Sequence, residues 1–516
     1  MNTPRRRAAR LVSAVAGLAI ACLTLTGCLF SVIEPPAATE TRGPAPTDGI
    51  PEDLLRFYEQ ELTWTDCGEG FDCTDVTAPL DWDDPDAGEI ELAVVRHRAS
   101  GEPIGSLLTN PGGPGASGVD LIRDSLDFAV GEALIDRFDV IGFDPRGVGQ
   151  STAVRCLDAA GMDERLFGIP PGTRGSAEWN SALAEGAADF AAACEENSGG
   201  ILEFITTEQA ARDLDLLRGV LGDETLNYLG YSYGSFLGAT YAKLFPERVG
   251  RLVLDGAIDP STTDFDVTKT QAMGFESALR AYLADCVGRS GCPFTGSVDA
   301  AVTRIQQILD RLDAAPIEHH DGRLLGSGTM FVAIILPLYS QETWPLLDDL
   351  FIEVQAGETA TAFYLADYYN ARNANGTYRD NSTEAFLAIN CLDYRNEVTP
   401  ESMRAEAKLL AEAAPLFGPA MSWGGTLCEV WPYPSERDRV AIHAPGSSDI
   451  LVIGTTNDPA TPYVWAVALA DQLENGHLVT FEGEGHTAYG GNSTCIDETV
   501  DAYFIDGAVP ASDPRC

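Results

Sequence analysis

Five residues, Gly230-Tyr231-Ser232-Tyr233-Gly234, constrain the fold of this chain more than any others. They follow the apolar run 226–229, which has the character of a strand, and lead into residues 235–242, which have that of a helix. A serine hydroxyl is a weak nucleophile unless it is held clear of the backbone, beside a base and an oxyanion site. A G-x-S-x-G turn at a strand-to-helix junction does this, because the flanking glycines let strand and helix approach closely around a strained serine. With 51 glycines in 516 residues the pentapeptide alone is a weak signal, and its place at a junction gives it weight.

Around the turn, β-rich runs alternate with helical patterns in two blocks. The first block holds runs at 90–96, 106–110, 138–143, 224–231 and 251–255, and the second holds 449–454 and 477–481. Between the blocks, residues 261–440 are mainly helical in pattern, as at 275–286 and 302–314. Such alternation predicts an α/β fold, a mostly parallel sheet with helices on both faces. The predicted core is 56–260 with 441–516, carrying a small helical excursion near 157–207. Residues 261–440 form a large helical cap inserted before the last two core strands.

The N-terminus predicts export. Arg5, Arg6, Arg7 and Arg10 precede an apolar stretch, 11–25, that is short for a membrane span, and Leu25-Thr26-Gly27-Cys28 has the form of a lipobox. Residues 1–28 are predicted as a lipoprotein signal peptide with Cys28 as the lipidated residue; an ordinary signal peptide cut elsewhere is the alternative. Residues 29–55, rich in Pro, Ala, Thr and Glu up to Asp48, are predicted as a flexible tether. The expected location is the outer face of the cell membrane, or the medium after release. Leaving out Cys22 and Cys28, ten cysteines remain, and an oxidising compartment would pair them. Nearest neighbours are the simplest pairing: 67–73, 156–194, 286–292, 391–428 and 495–516.

A net charge of −45, with lysine only at 243, 269 and 408, argues against nucleic acid and anionic lipid as partners. An acidic pocket attracting a cationic substrate is the sharper possibility; a solvated acidic surface is the plainer one. No Cys-x-x-Cys occurs and the histidines do not cluster at ligand spacing, so neither a metal nor an organic cofactor is expected.

A serine nucleophile needs a base and an acid. His486 lies in Gly483-Glu484-Gly485-His486-Thr487, a glycine-flanked loop after the last predicted strand, where an α/β-hydrolase presents its histidine. The other five histidines fit surface or structural roles. Asp458, in Asp458-Pro459-Ala460-Thr461-Pro462, is the candidate acid; Asp255 at the end of a strand is the competitor, with anchoring a turn as its plainer role. The glycine-rich loop Asn110–Gly118 follows an early strand and suits an oxyanion loop. Its donor is Gly113, with Gly112 as alternate, and the second donor is the N–H of Tyr233. Asp144–Ser151 forms a further loop, in which Arg146 is expected to bond carbonyls or a carboxylate.

In this order, Asn110–Gly118, Asp144–Ser151, Gly230–Gly234, Asp458–Pro462 and Gly485-His486-Thr487 resemble the tripeptidyl-aminopeptidase-like branch of the prolyl-iminopeptidase family of α/β-hydrolases, known from exported actinobacterial exopeptidases. The resemblance spans about residues 60 to 516. It implies Ser232, Asp458 and His486 as a triad, and peptides with a free N-terminus as substrates, cut to release short pieces, often tripeptides. It also implies acidic side chains in or beside the cap that read the substrate ammonium. Asp393, in Ala388–Asp393, is the candidate for that role, against a plain surface acid. A carboxylesterase or lipase on the same fold is the alternative activity, and a surface lipoprotein that binds without catalysis the alternative class.

Overall fold

A nine-stranded sheet organises the computed structural model, which describes residues 43–516 except 48, 397 and 436. The predicted signal peptide, Cys28 and the first part of the tether lie outside the described residues. The strands are β1 (Thr65–Gly68), β2 (Phe71–Pro79), β3 (Glu89–His97), β4 (Gly105–Asn110), β5 (Phe138–Phe143), β6 (Leu226–Tyr231), β7 (Val249–Asp255), β8 (Ile450–Asn457) and β9 (Gly476–Glu484). Their spatial order is β1-β2-β3-β5-β4-β6-β7-β8-β9. The first three strands pair antiparallel, as does β3 with β5; every pairing from β5 to β9 is parallel.

The parallel strands are buried on both faces, which is why they read as near-continuous apolar runs. Along β7, Leu252 and Leu254 enter one core cluster while Val253 enters the opposite one. Along β8, Ile450 and Val452 face the first and Leu451 and Ile453 the second. Helices α1 (Gly118–Ala129), α2 (Thr207–Val220), α3 (Tyr233–Leu244), α4 (Ser382–Asp393), α5 (Tyr463–Gln472) and α6 (Thr494–Asp506) matter most for the site. Helices α2, α3 and α5 cover one face; α1 and α6 cover the other.

Between β7 and β8 the chain builds helices at Asp264–Cys286, Val298–Ala314, Ser327–Ile335, Trp344–Ala356 and Ala360–Tyr369, which share a separate apolar cluster around Phe275, Leu283, Ile308 and Phe351. Two boundaries differ from the sequence expectation. Residues 43–55 do not continue a free tether: Ala45 is buried, its N–H donates to the Gly219 carbonyl, and Glu52–Leu54 form a short 3-10 turn. Helix α4 falls within the sequence span assigned to the cap, yet its Ala385, Ala388, Ile389 and Leu392 pack into the sheet's own core. All ten described cysteines pair with their sequence neighbours, 67–73, 156–194, 286–292, 391–428 and 495–516.

Candidate active site

Ser232 joins β6 to α3 with φ 55° and ψ −121°, a backbone region that costs an L-residue about 1–3 kcal/mol. Glycine is obligatory on either side. A Cβ at Gly230 would lie 2.4 Å from the Gly234 carbonyl oxygen, and one at Gly234 would lie 2.8 Å from that of Asn110. The turn is pinned by Tyr228, whose hydroxyl donates to the Gly234 carbonyl at 2.8 Å, and by the Ser232 N–H, which donates to the Asp255 carbonyl at 2.8 Å. Tyr233 opens α3, so its N–H belongs to the first turn, where no intrahelical acceptor exists.

The loop after β4 presses its backbone on this elbow. A Cβ at Gly112 would sit 2.5 Å from the Tyr231 carbonyl oxygen, 2.9 Å from Cβ of Ser232 and 3.0 Å from the Tyr233 nitrogen. The Gly112 N–H is already spent on the Asn110 side chain at 3.0 Å, whereas the Gly113 N–H finds no acceptor among the described residues. Asp144 braces the same loop from behind, its carboxylate accepting from the Ser117 hydroxyl and from the N–H groups of Val119 and Gln150. Arg146 is buried in a paired contact with Asp213 at 2.7 Å and bonds the carbonyls of Pro79, Leu80 and Phe204.

On the turn after β8, Asp458 is 2% exposed and lies 2.9 Å through each carboxylate oxygen from Nδ1 of His486. Its oxygens also accept the N–H groups of Ala460, Thr461 and Thr487 and the hydroxyl of Thr461 at 3.0 Å. Burial works against the charged imidazole, but the Asp458 charge, its hydrogen bond and the nearby Asp255 outweigh it, so His486 titrates above the ordinary histidine value.

Asp255 does not reach His486 as an acid partner. Its carboxylate, fully buried at the end of β7, accepts the N–H groups of Ala488 and Tyr489 at 2.9 and 2.8 Å, and burial pushes it up to about 6. From the cap side, the Tyr339 carbonyl accepts the His486 N–H at 2.8 Å, and the two rings meet edge to face at 5.4 Å. Pro111 of the glycine loop, Tyr231 of the elbow, Tyr339 and His486 all border one cavity of about 780 Å³, which Glu342 and Glu484 also line. Among the described residues no group of three or more His, Cys, Asp or Glu side chains is placed to hold a metal ion.

Asp393 lies elsewhere. Its oxygens accept from the N–H of Thr207 at 2.9 Å and the hydroxyl of Thr207 at 2.5 Å, and the small cavity beside it is walled by Lys243, Arg437 and Arg439 together with Glu208 and Asp438. Both carboxylate oxygens of Asp393 are thus engaged by Thr207, and Asp393 does not line the cavity that His486 borders. Two contacts escaped sequence reasoning: Thr461 on the Asp458–His486 pair and the Tyr339 carbonyl. Only the first left a signal, the Thr inside the Asp-Pro-Ala-Thr-Pro turn.

A family described as TAP-like protein matches residues 414–516, which carry both Asp458 and His486. Serine protease Hip1 of Mycobacterium tuberculosis is 35% identical over 542 aligned residues, covering 99% of each chain. The chain belongs to the tripeptidyl-aminopeptidase-like branch of the prolyl-iminopeptidase family of α/β-hydrolases. Carboxylesterase B of Mycobacterium tuberculosis is 34% identical over 499 residues, covering 93% of each chain. Tripeptidyl aminopeptidase of Streptomyces lividans is 29% identical over 469 residues, covering 88% of this chain and 86% of its own. As a TAP-like protein, the chain is a serine hydrolase.

Proposed function

We propose that this protein is an exported serine exopeptidase that releases short peptides, mainly tripeptides, from substrates with a free N-terminus. The observation that carries the reading is Ser232, held at φ 55° on an elbow that borders the same cavity as the Asp458-paired His486. His486 takes the Ser232 proton as the hydroxyl attacks the scissile carbonyl; the Gly113 and Tyr233 N–H groups receive the oxyanion; and His486 then protonates the leaving amine. Asp458 fixes the imidazole tautomer and balances its charge. Water, activated by His486, hydrolyses the acyl-enzyme. The relatives named serine protease and tripeptidyl aminopeptidase support a peptide substrate.

The cellular setting is part of the proposal. The lipobox at Leu25–Cys28 and five disulfides support export, with a lipid on Cys28 holding the enzyme at the outer face of the membrane.

A carboxylesterase is the second reading, favoured by the relative of that name. Turnover of a tripeptide anilide with a free amine, compared with its N-acetyl form, separates the two. A peptidase that requires the amine loses at least a hundredfold in kcat/KM on acetylation; equal rates on both substrates exclude it.

A further inference from the structure

Helix α4 touches the glycine loop at its start and reaches Tyr233 through Thr207 at its end. At its start it leans on the glycine loop: a Cβ on Gly115 would lie 2.6 Å from the Ser382 carbonyl oxygen and 2.9 Å from the Phe386 nitrogen. At its end, Asp393 grips Thr207, the first residue of α2, through both carboxylate oxygens. The Thr207 hydroxyl donates to Asp393 at 2.5 Å, so its oxygen is left to accept from the Tyr233 hydroxyl, with which it makes a short contact. The chain of donors therefore runs Tyr233 to Thr207 to Asp393, in one direction only.

We propose that Asp393 is a positioning residue for the oxyanion donor, acting through Thr207 on the Tyr233 side chain and so on the Tyr233 backbone N–H. This deepens the serine-hydrolase reading and rests on it. The physical reason is leverage. Tyr233 is 6% exposed, with its ring edge-on to Phe236, and a tyrosine fixed at its hydroxyl and along its ring has its Cα fixed too. That Cα is bonded to the nitrogen whose N–H must face the oxyanion, so tethering the hydroxyl sets the tilt of the Ser232–Tyr233 peptide. Oxyanion donors lose most of their effect when misplaced by a fraction of an ångström.

The far end of the tether is rigid. Asn381 accepts the Gly149 N–H and donates to the Gly147 and Val154 carbonyls; Glu384 accepts the N–H groups of Cys156 and Leu157; and Cys391 is bonded to Cys428.

The test compares Tyr233→Phe, Asp393→Ala and the double variant in the full chain. Four readouts apply: steady-state kinetics on a tripeptide anilide and on p-nitrophenyl acetate, affinity for a peptide boronate that mimics the tetrahedral adduct, Tm, and fluorophosphonate labelling of Ser232. The expected result is a kcat lowered tenfold or more with KM changed less than threefold. Boronate affinity should fall in parallel, and the double variant should be no worse than the poorer single. Tyr233→Phe keeps the ring and the backbone, so it reports even if Asp393→Ala folds poorly. Wild-type kcat and boronate affinity in Tyr233→Phe, or a loss confined to KM or Tm, overturns the proposal while leaving the serine-hydrolase reading intact. Absence of phosphonate label on Ser232 in the wild-type protein overturns both.

Discussion

The backbone carbonyl of Asp255 holds the N–H of Ser232 at 2.8 Å. The same residue's carboxylate holds the N–H groups of Ala488 and Tyr489, just beyond His486. One strand end thus sets the spacing of the elbow and the histidine loop, although nothing in its chemistry need touch substrate.

Removing that carboxylate tests the spacing. Asp255→Ala strands two buried N–H groups, each costing about 1–3 kcal/mol, but also removes a buried charge that resists ionisation, as its value near 6 shows. A net loss of about 1–3 kcal/mol in urea unfolding is expected, with kcat/KM down at least tenfold as the His486 loop loses its anchor. Unchanged kinetics in a folded variant would deny the loop any dependence on Asp255.

Activity should fall on the acid side through one ionisation placed above 6.5, because His486 must be neutral to accept the serine proton and its contacts raise its pKa. The same raised value stabilises the fold below pH 6.5, a contribution lost as pH rises through the folded-state pKa. A kcat/KM profile over pH 5 to 9 reads the activity limb directly, and a limb below the ordinary histidine value would contradict the Asp458 contact.

Asp458→Asn keeps the shape and removes the charge. By analogy with other serine triads it should lower kcat by about 10³–10⁴ while leaving Ser232 in place, and it should move the acid limb to lower pH. The pH profile of the residual activity distinguishes this from simple misfolding.

Gly112→Ala drives a methyl group to within 3.0 Å of the Tyr233 nitrogen and 2.9 Å of Cβ of Ser232. Neither neighbour is a flexible side-chain end, so loop and elbow must part. A loss of about 10² or more in kcat is expected, with circular dichroism unchanged and the rate of fluorophosphonate labelling reduced in step.

The disulfides should stabilise unequally. Cys156–Cys194 spans 38 residues and Cys67–Cys73 spans 6, so loop entropy assigns them about 4 and about 2 kcal/mol. Unfolding of the two double-serine variants in urea measures the difference; a larger loss from the short loop would contradict the entropic ordering.

The parallel strands from Gly105 onward were legible because strands buried on both faces have no polar alternation to confuse them, and the run at 90–96 marked β3 as well. Strands β1 and β2, with polar positions such as the exposed Asp66 and Asp75 and the half-buried Asp72, gave no such run and passed unseen. The placement of Asp458 beside His486 could be read from order along the chain, since each follows its strand by a short loop. Asp393 could not be read. A carboxylate in a helical segment looks alike whether it faces an amine or the first residue of another helix, and its partner Thr207 is 186 residues away. Helix α4 was assigned to the cap by sequence position, while its burial in the core depends on the three-dimensional path alone.

The most direct test of the whole mechanism is peptide mapping by mass spectrometry after treatment of the folded protein with a fluorophosphonate. A single adduct on Ser232, formed rapidly in the wild-type protein and lost or slowed at least a hundredfold in His486→Ala, is the expected result. Label on another residue, or none on Ser232 in folded protein, would contradict it.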